Sequence, residues 1–134
     1  TLRTVNAAPQ RAEAVDTTFA DLDYSRFRNI AWENNTYNGI SIQTESPMVL
    51  RHDQNTASTS WAITTGGKLP FDGWARTVSS LVMEGQANGP GAEIRTGMPY
   101  VNTQQGANSN EVRLTWPSTT RGRAVVTIRV DNPL

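Results

Sequence analysis

The segment RAVVTIRV, residues 123–130, alternates strictly between two kinds of side chain. One set of alternating positions is entirely apolar: Ala124, Val126, Ile128 and Val130. Because successive side chains of a β-strand point to opposite faces, this spacing predicts a strand with one face on a core. The same period of two recurs in six earlier segments, at residues 40–43, 47–52, 60–64, 74–83, 92–95 and 111–116.

Turn-forming residues separate these segments, for example Asn38-Gly39 and Gly66-Gly67. The polar run RHDQNTAST, residues 51–59, is predicted as a strand end followed by a loop. The segment 74–83 is apolar on both faces, which favours a central strand covered on both sides. About seven short strands joined by such turns predict an all-β fold, an antiparallel β-sandwich or jelly roll.

Residues 1–29 lack this alternation and are predicted as an N-terminal arm, ahead of a β-sandwich domain at residues 30–134. Thr17 or Thr18 could cap a short helix through FADLDYSRF. The arm's large side chains could then lie against the body or against a neighbouring subunit: Phe19, Leu22, Tyr24 and Phe27. Two interpretations stay open, a disordered terminus with one helical turn, or an ordered arm that contacts a partner.

Composition excludes several classes of function. The chain has 134 residues, enough for one domain with a real core, and no cysteine, which excludes disulfides, thiolate metal sites and cysteine nucleophiles. Twelve basic and twelve acidic residues balance, so the sequence lacks the basic footprint of a nucleic-acid-binding protein. The apolar runs are too short for a membrane span. We therefore expect no nucleic-acid and no membrane partner.

The run TTGGKLPFDGW, residues 64–74, superficially resembles a phosphate-binding loop. Such a loop requires serine or threonine after the lysine and a helix behind it. Here Leu69 and Pro70 follow Lys68. The glycines therefore predict a turn between strands.

The titratable residues do not form a recognisable catalytic or metal-binding pattern. His52 is the only histidine, and no nucleophile motif accompanies it. Glu84 and Glu93 flank one turn and could lie near one another, as the two carboxylates of a glycosidase must. Charged strand ends are equally expected to give this placement. Asp53 with Asn55 offers too few oxygen ligands for calcium. We expect no enzymatic activity, no metal and no cofactor.

Four tryptophans are many for a chain of this length. Trp61, Trp74 and Trp116 fall on the apolar sides of alternating segments, so their predicted place is the core. Trp32, close to Tyr37 in the sequence, is the best candidate for an exposed or intersubunit aromatic, although packing is favoured for it too.

The order of these segments resembles the tumour necrosis factor/C1q-like jelly-roll class. The likeness spans about residues 39–130 and includes ISIQT, the run from Thr59 to Gly85 with Phe71, Gly73 and Trp74 at its turn, and the closing RAVVTIRV. The resemblance implies a trimer, and similar domains serve bacteriophages as capsid decoration proteins and fibre tips. A symmetric trimer would also bury apolar strand faces such as that of Leu81 and Met83.

The sequence therefore favours a non-enzymatic virion structural protein, a capsid decoration or stabilising protein that binds the assembled shell as a trimer. Its expected partners are copies of itself and the major capsid protein or another virion protein, and its expected location is the virion, assembled in the host cytoplasm. The predicted contact residues are Phe19, Leu22, Tyr24, Phe27, Trp32 and Tyr37. The alternative is a carbohydrate-binding domain, a lectin or phage receptor-binding tip, with its glycan site in residues 51–59 or 87–93.

Overall fold

The computed structural model describes residues 2–3, 11–13 and 22–132. Its eight strands are β1 (Leu2–Arg3), β2 (Tyr37–Asn38), β3 (Met48–Thr64), β4 (Thr77–Met83), β5 (Ala87–Asn88), β6 (Ile94–Arg95), β7 (Tyr100–Gln105) and β8 (Glu111–Arg129). The only helical elements among these residues are two short 3-10 turns, Tyr24–Arg26 and Pro70–Asp72. The predicted all-β, antiparallel class is confirmed.

Strand β8 organises the main sheet, since four other strands pair with it. Strand β3 runs antiparallel along one edge of β8 for nearly its whole length, from Met48 opposite Ile128 to Thr64 opposite Glu111. The other edge of β8 is shared, with β4 on its C-terminal part and β7 on its N-terminal part. Strand β5 meets β8 at one pair, and β6 completes the sheet beyond β5.

Several predicted strand boundaries are wrong. The segments 47–52 and 60–64 belong to one 17-residue strand, and the predicted loop between them is part of β3. The segments 111–116 and 123–130 likewise merge into the 19-residue β8. Residues 53–60 and 115–123 are mostly polar, but they pair with each other across two register shifts. The backbone ladder thus continues where side-chain alternation gives no signal.

Three further differences concern shorter segments. Residues 40–43 form no strand, and the neighbouring β2 covers only Tyr37–Asn38. Strand β4 begins at Thr77 instead of Trp74 and pairs with β8 alone, so it is not the central strand that was predicted. Strand β7 was not predicted, because Asn102 and the glutamines after it have low β-propensity.

The core lies on one face of this sheet. The even-numbered side chains of β8 are buried at residues 112–116, at Thr120 and at residues 124–128, whereas the odd-numbered ones are half-buried or exposed. The opposite side of the core is closed by irregular segments, with Leu69 and Ala75 buried between β3 and β4 and with Phe27 and Ile30 packed from before β2. Gly73 is required in this covering layer, because a Cβ there would lie 2.6 Å from a methyl group of Val130.

A short piece of the predicted arm is fixed to the body by a buried carboxylate. Both oxygens of Glu13 accept hydrogen bonds from the Thr44 hydroxyl, at 3.0 and 2.9 Å, and Oε1 also accepts from the backbone N–H of Phe71 at 3.0 Å. Arg11 pairs with Glu13 at 3.2 Å and donates to the carbonyls of Gly67 and Leu69. Residues 11–13 therefore close over the Gly66-Gly67 turn.

We expect Glu13→Ala to lower the free energy of unfolding by about 1–3 kcal/mol, because it leaves buried donors of Thr44 and Phe71 without an acceptor. Urea denaturation followed by tryptophan fluorescence measures the change. The matched control is the exposed Glu45→Ala, expected to stay within about 0.5 kcal/mol of the unmodified chain. Equal stability of the two variants would show that Glu13 does not hold the arm.

A second buried carboxylate, Asp131, ties the end of β8 to the segment before β2. Its side chain accepts hydrogen bonds from Ile30 N–H at 2.7 Å and from the Arg129 guanidinium at 2.9 and 3.1 Å. Burial by itself raises the pKa of this carboxyl, but the hydrogen bonds from Arg129 and Ile30 outweigh it and the net pKa lies below the ordinary value.

Because the pKa of Asp131 is lower in the folded state, its contribution to stability is present above the unfolded-state pKa of about 3.9 and is lost as the pH falls through the folded-state pKa. We expect Asp131→Asn to cost about 2–4 kcal/mol at pH 7. The difference between variant and unmodified chain should shrink towards pH 3. Urea unfolding across this pH range measures both, and a difference that does not depend on pH would contradict the assignment.

Candidate functional site

The face of the main sheet opposite the core, here called the outer face, carries exposed apolar side chains. Val49 of β3 is 63% exposed and Val82 of β4 is 60% exposed. Val125 of β8 is paired with Val82 of β4 on one side and with Arg51 of β3 on the other. Val49, Val125 and Val82 therefore lie on three adjacent strands. Farther along the same face, Tyr100 of β7 is 68% exposed.

Val82 faces outward because of an irregularity in β4. The pairing with β8 shifts between Val78 and Ser80, so Leu81 and Met83 lie opposite the inward positions Val126 and Ala124. The expectation that Leu81 and Met83 form a free apolar face is therefore wrong, since both pack against the core. A bulge of this kind reverses which residues of a strand point inward. The alternation of the residues before the bulge therefore does not predict the orientation of the residues after it.

One end of the outer face is crossed by a row of ion pairs that links three strands. Arg123 of β8 lies between Asp53 of β3 and Glu84, just after β4, and Glu84 also pairs with Arg51 at 3.0 Å. The hydrogen bond to Asp53 raises the pKa of Arg123 above its ordinary value. These charged side chains are exposed, so their ion pairs contribute little to the stability of the sheet. Their main effect is to make this end of the outer face polar.

Strand β3, the 17 residues from Met48 to Thr64, has one partner strand among the described residues, β8. Its second edge is therefore paired with no strand in that part of the chain. Long free edges are the places where sheets pair with other chains unless charge, bulges or proline prevent it. Here the two register shifts interrupt the middle of the strand, and its two ends are regular.

A polar groove of about 290 Å³ opens where the middle of β3, the middle of β8 and the turn from β4 to β5 meet. It is lined by Asp53, Gln54, Asn55, Glu84, Gln86, Asn88, Arg121, Gly122 and Arg123. The two segments predicted to hold a glycan site, 51–59 and 87–93, thus contribute to one concavity. No aromatic side chain is among its lining residues, and Gln86 and Arg121 were not predicted because they come together only through the pairing of β5 with β8.

The predicted contact residues are in contact with their own chain. Tyr24 packs edge-on against Phe27, with ring centroids 5.3 Å apart, and its hydroxyl donates to the Phe71 carbonyl at 3.2 Å. The Trp32 indole donates to the Tyr37 hydroxyl, which in turn donates to the Thr44 carbonyl, both at 2.6 Å. Whether these side chains also bind a partner stays a prediction.

Two of the predicted contact residues remain, Leu22 and Phe19. Leu22 is half-buried. Residues 14–21, which include Phe19, the proposed caps Thr17 and Thr18 and the start of the predicted helix FADLDYSRF, lie outside the described residues. In the part that is described, the 3-10 turn Tyr24–Arg26 is capped by Asp23, whose carboxylate accepts from Ser25 N–H at 3.1 Å.

The other titratable candidates each have a structural partner. His52 shares a hydrogen bond of 2.9 Å with Gln54. Glu93 accepts from Gly91 N–H at 3.0 Å, and its pKa is lowered by hydrogen bonds from its own backbone N–H and from that of Gly91. Within the described part of the chain, no three histidine, aspartate or glutamate side chains are grouped as a metal site would need.

Comparison with models of known protein families, with curated proteins and with solved structures finds no match to this chain. None of the helices in the described ranges has the length and apolar character needed to cross a bilayer.

Proposed function

We propose that this chain is a non-enzymatic structural component of a virion, a capsid decoration or stabilising protein that acts as a trimer. The observation that supports this best is the outer face, where Val49 and Val82 are more than half exposed. Val49 lies on β3, whose second edge is paired with no strand in the described part of the chain. The resemblance of the sequence segments over about residues 39–130 to the tumour necrosis factor/C1q-like class implies the same kind of assembly.

A second copy of the chain is the occupant that this surface suits. The charges around the valines have both signs, Arg51 and Arg123 beside Asp53 and Glu84, so the face can approach a copy of itself without net repulsion. Burying each valine would contribute about 1 kcal/mol. Regular backbone at both ends of the β3 edge offers hydrogen bonds in addition.

The stabilising effect follows from mass action. A subunit that binds the assembled shell and not the free coat protein lowers the free energy of the shell by its own binding free energy. A trimer strengthens this effect, because three linked contacts engage one shell at a high effective concentration. No chemical step is needed.

Light scattering tests the trimer and the surface together. We expect a mass three times the 14.7 kDa of one chain, and we expect the Val49→Lys/Val82→Lys double variant to shift towards the single-chain mass. The matched control adds the same charge at exposed positions away from the outer face, Asn35→Lys/Gln43→Lys, and should remain trimeric. Circular dichroism checks that all three proteins are folded.

A single-chain mass of the unmodified protein at roughly 100 μM, where contacts of micromolar affinity are saturated, would overturn the trimer. A double variant that keeps the full mass would remove the outer face from the proposal.

The polar groove supports a second candidate function, carbohydrate binding. Its amides, arginines and carboxylates offer both donors and acceptors, as sugar hydroxyls require. The groove also joins the two segments that the sequence had indicated for this purpose.

A glycan array separates this candidate from the first. If the groove binds sugars, Asn88→Ala/Arg121→Ala should lose roughly tenfold or more in affinity, because two buried contacts of about 1 kcal/mol each are removed. Asn108→Ala, in the exposed loop after β7, is the matched control. Loss of binding with Trp32→Ala and not with the groove variant would instead support the aromatic site predicted from the sequence.

A further inference from the structure

The sequence contains two Asn-Gly pairs, Asn38-Gly39 and Asn88-Gly89. Asparagine before glycine is chemically reactive, because glycine has no side chain to shield its backbone nitrogen from the neighbouring amide. That nitrogen can attack the amide carbon of the asparagine and close a succinimide ring. The proposed assembly does not use this chemistry, and the structure places the two pairs in different surroundings.

The pair Asn88-Gly89 is held by the sheet. Asn88 lies on β5, opposite Arg121 of β8 on one side and Ile94 of β6 on the other. Gly89 is buried, and its backbone N–H donates to the Glu93 carbonyl at 2.7 Å. Ring closure requires this nitrogen to turn towards the Asn88 side chain, so the hydrogen bond and the strand pairing must open first. The fold therefore protects Asn88.

The pair Asn38-Gly39 lies at the surface. Asn38 is the last residue of the two-residue strand β2, whose partner strand among the described residues is β1. Both residues of the pair are exposed, and Gly39 has a φ of 75°, in the left-handed region. An isolated pair of short strands opens at little cost. Because β1 and β2 form a sheet of their own, this opening leaves the main sheet intact.

We propose that Asn38 is a site of spontaneous covalent modification, at which the asparagine becomes aspartate or isoaspartate. The backbone nitrogen of Gly39 forms a bond to Cγ of Asn38, and the bond from Cγ to Nδ2 breaks. Ammonia leaves with the proton that the Gly39 nitrogen has lost. Water then opens the succinimide at one of its two carbonyls, which gives aspartate or isoaspartate. Water is the only co-reactant.

The products differ from the original chain in charge and in backbone length. Either product adds one negative charge to a chain whose formal net charge is zero, so modified chains separate from unmodified ones by anion exchange in the folded state. Isoaspartate also adds a methylene group to the backbone between residues 38 and 39. That position pairs with Arg3 of β1 and lies outside the outer face and the polar groove.

The test incubates the folded full chain at mildly alkaline pH and follows both pairs by mass spectrometry. Trypsin releases them on separate fragments, residues 29–51 and 77–95, and fragmentation of each peptide identifies the modified asparagine. We expect residue 38 to react roughly tenfold or more faster than residue 88. In urea, where the fold no longer protects Asn88, the two rates should become similar.

Two variants complete the design. Asn38→Gln should abolish the new anion-exchange species, because glutamine would have to close a larger and less favoured ring. The matched control Asn88→Gln should leave the species and its rate unchanged.

Equal rates at residues 38 and 88 in the folded chain would overturn the proposal, because the fold would then not select between the pairs. It is also overturned if residue 38 stays unmodified in the folded chain over a time in which the urea-unfolded chain reacts there. If Asn38→Gln does not fold, the two fragments of the unmodified chain still give this comparison.

Discussion

The ladder of backbone hydrogen bonds along β8 is the constraint on which the rest of the structure depends. One strand holds β3 on its whole first edge and both β4 and β7 on its second, so every large element is positioned relative to it. Because the even-numbered side chains at both of its ends, residues 112–116 and 124–128, are buried, its alternation also defines which side of the sheet is the core. Side chains from the irregular segments then need only to cover that side.

Two buried carboxylates fasten this covering layer. Glu13 connects the arm to Thr44 and Phe71, and Asp131 connects the end of β8 to Ile30. Some backbone N–H groups of the irregular segments pair with other irregular segments, as Trp32 does with Ser46, whereas those of Phe71 and Ile30 donate to these carboxylates. The arrangement leaves the outer face uncovered, and this asymmetry between the two faces is what the proposed assembly uses.

The polar groove arises where segments that are distant in sequence meet in the sheet. It needs the middle of β3, the middle of β8 and the turn that leads from β4 into β5. Sequence patterns indicated two of the contributing segments, 51–59 and 87–93, but not that they would meet. Arg121 had no local signal of function, since it lies in a polar run.

The sequence by itself determined the all-β class, the inward face of residues 123–130 and the turn at Gly66-Gly67, because alternation and glycine conformations are local properties of the chain. Only the tertiary structure decided that four predicted strands form two long ones, that Val82 and not Leu81 faces outward, and which polar residues share a groove. Strand pairing is a contact between distant segments, and a bulge in one strand depends on the register of its partner. No pattern within a single segment contains that information.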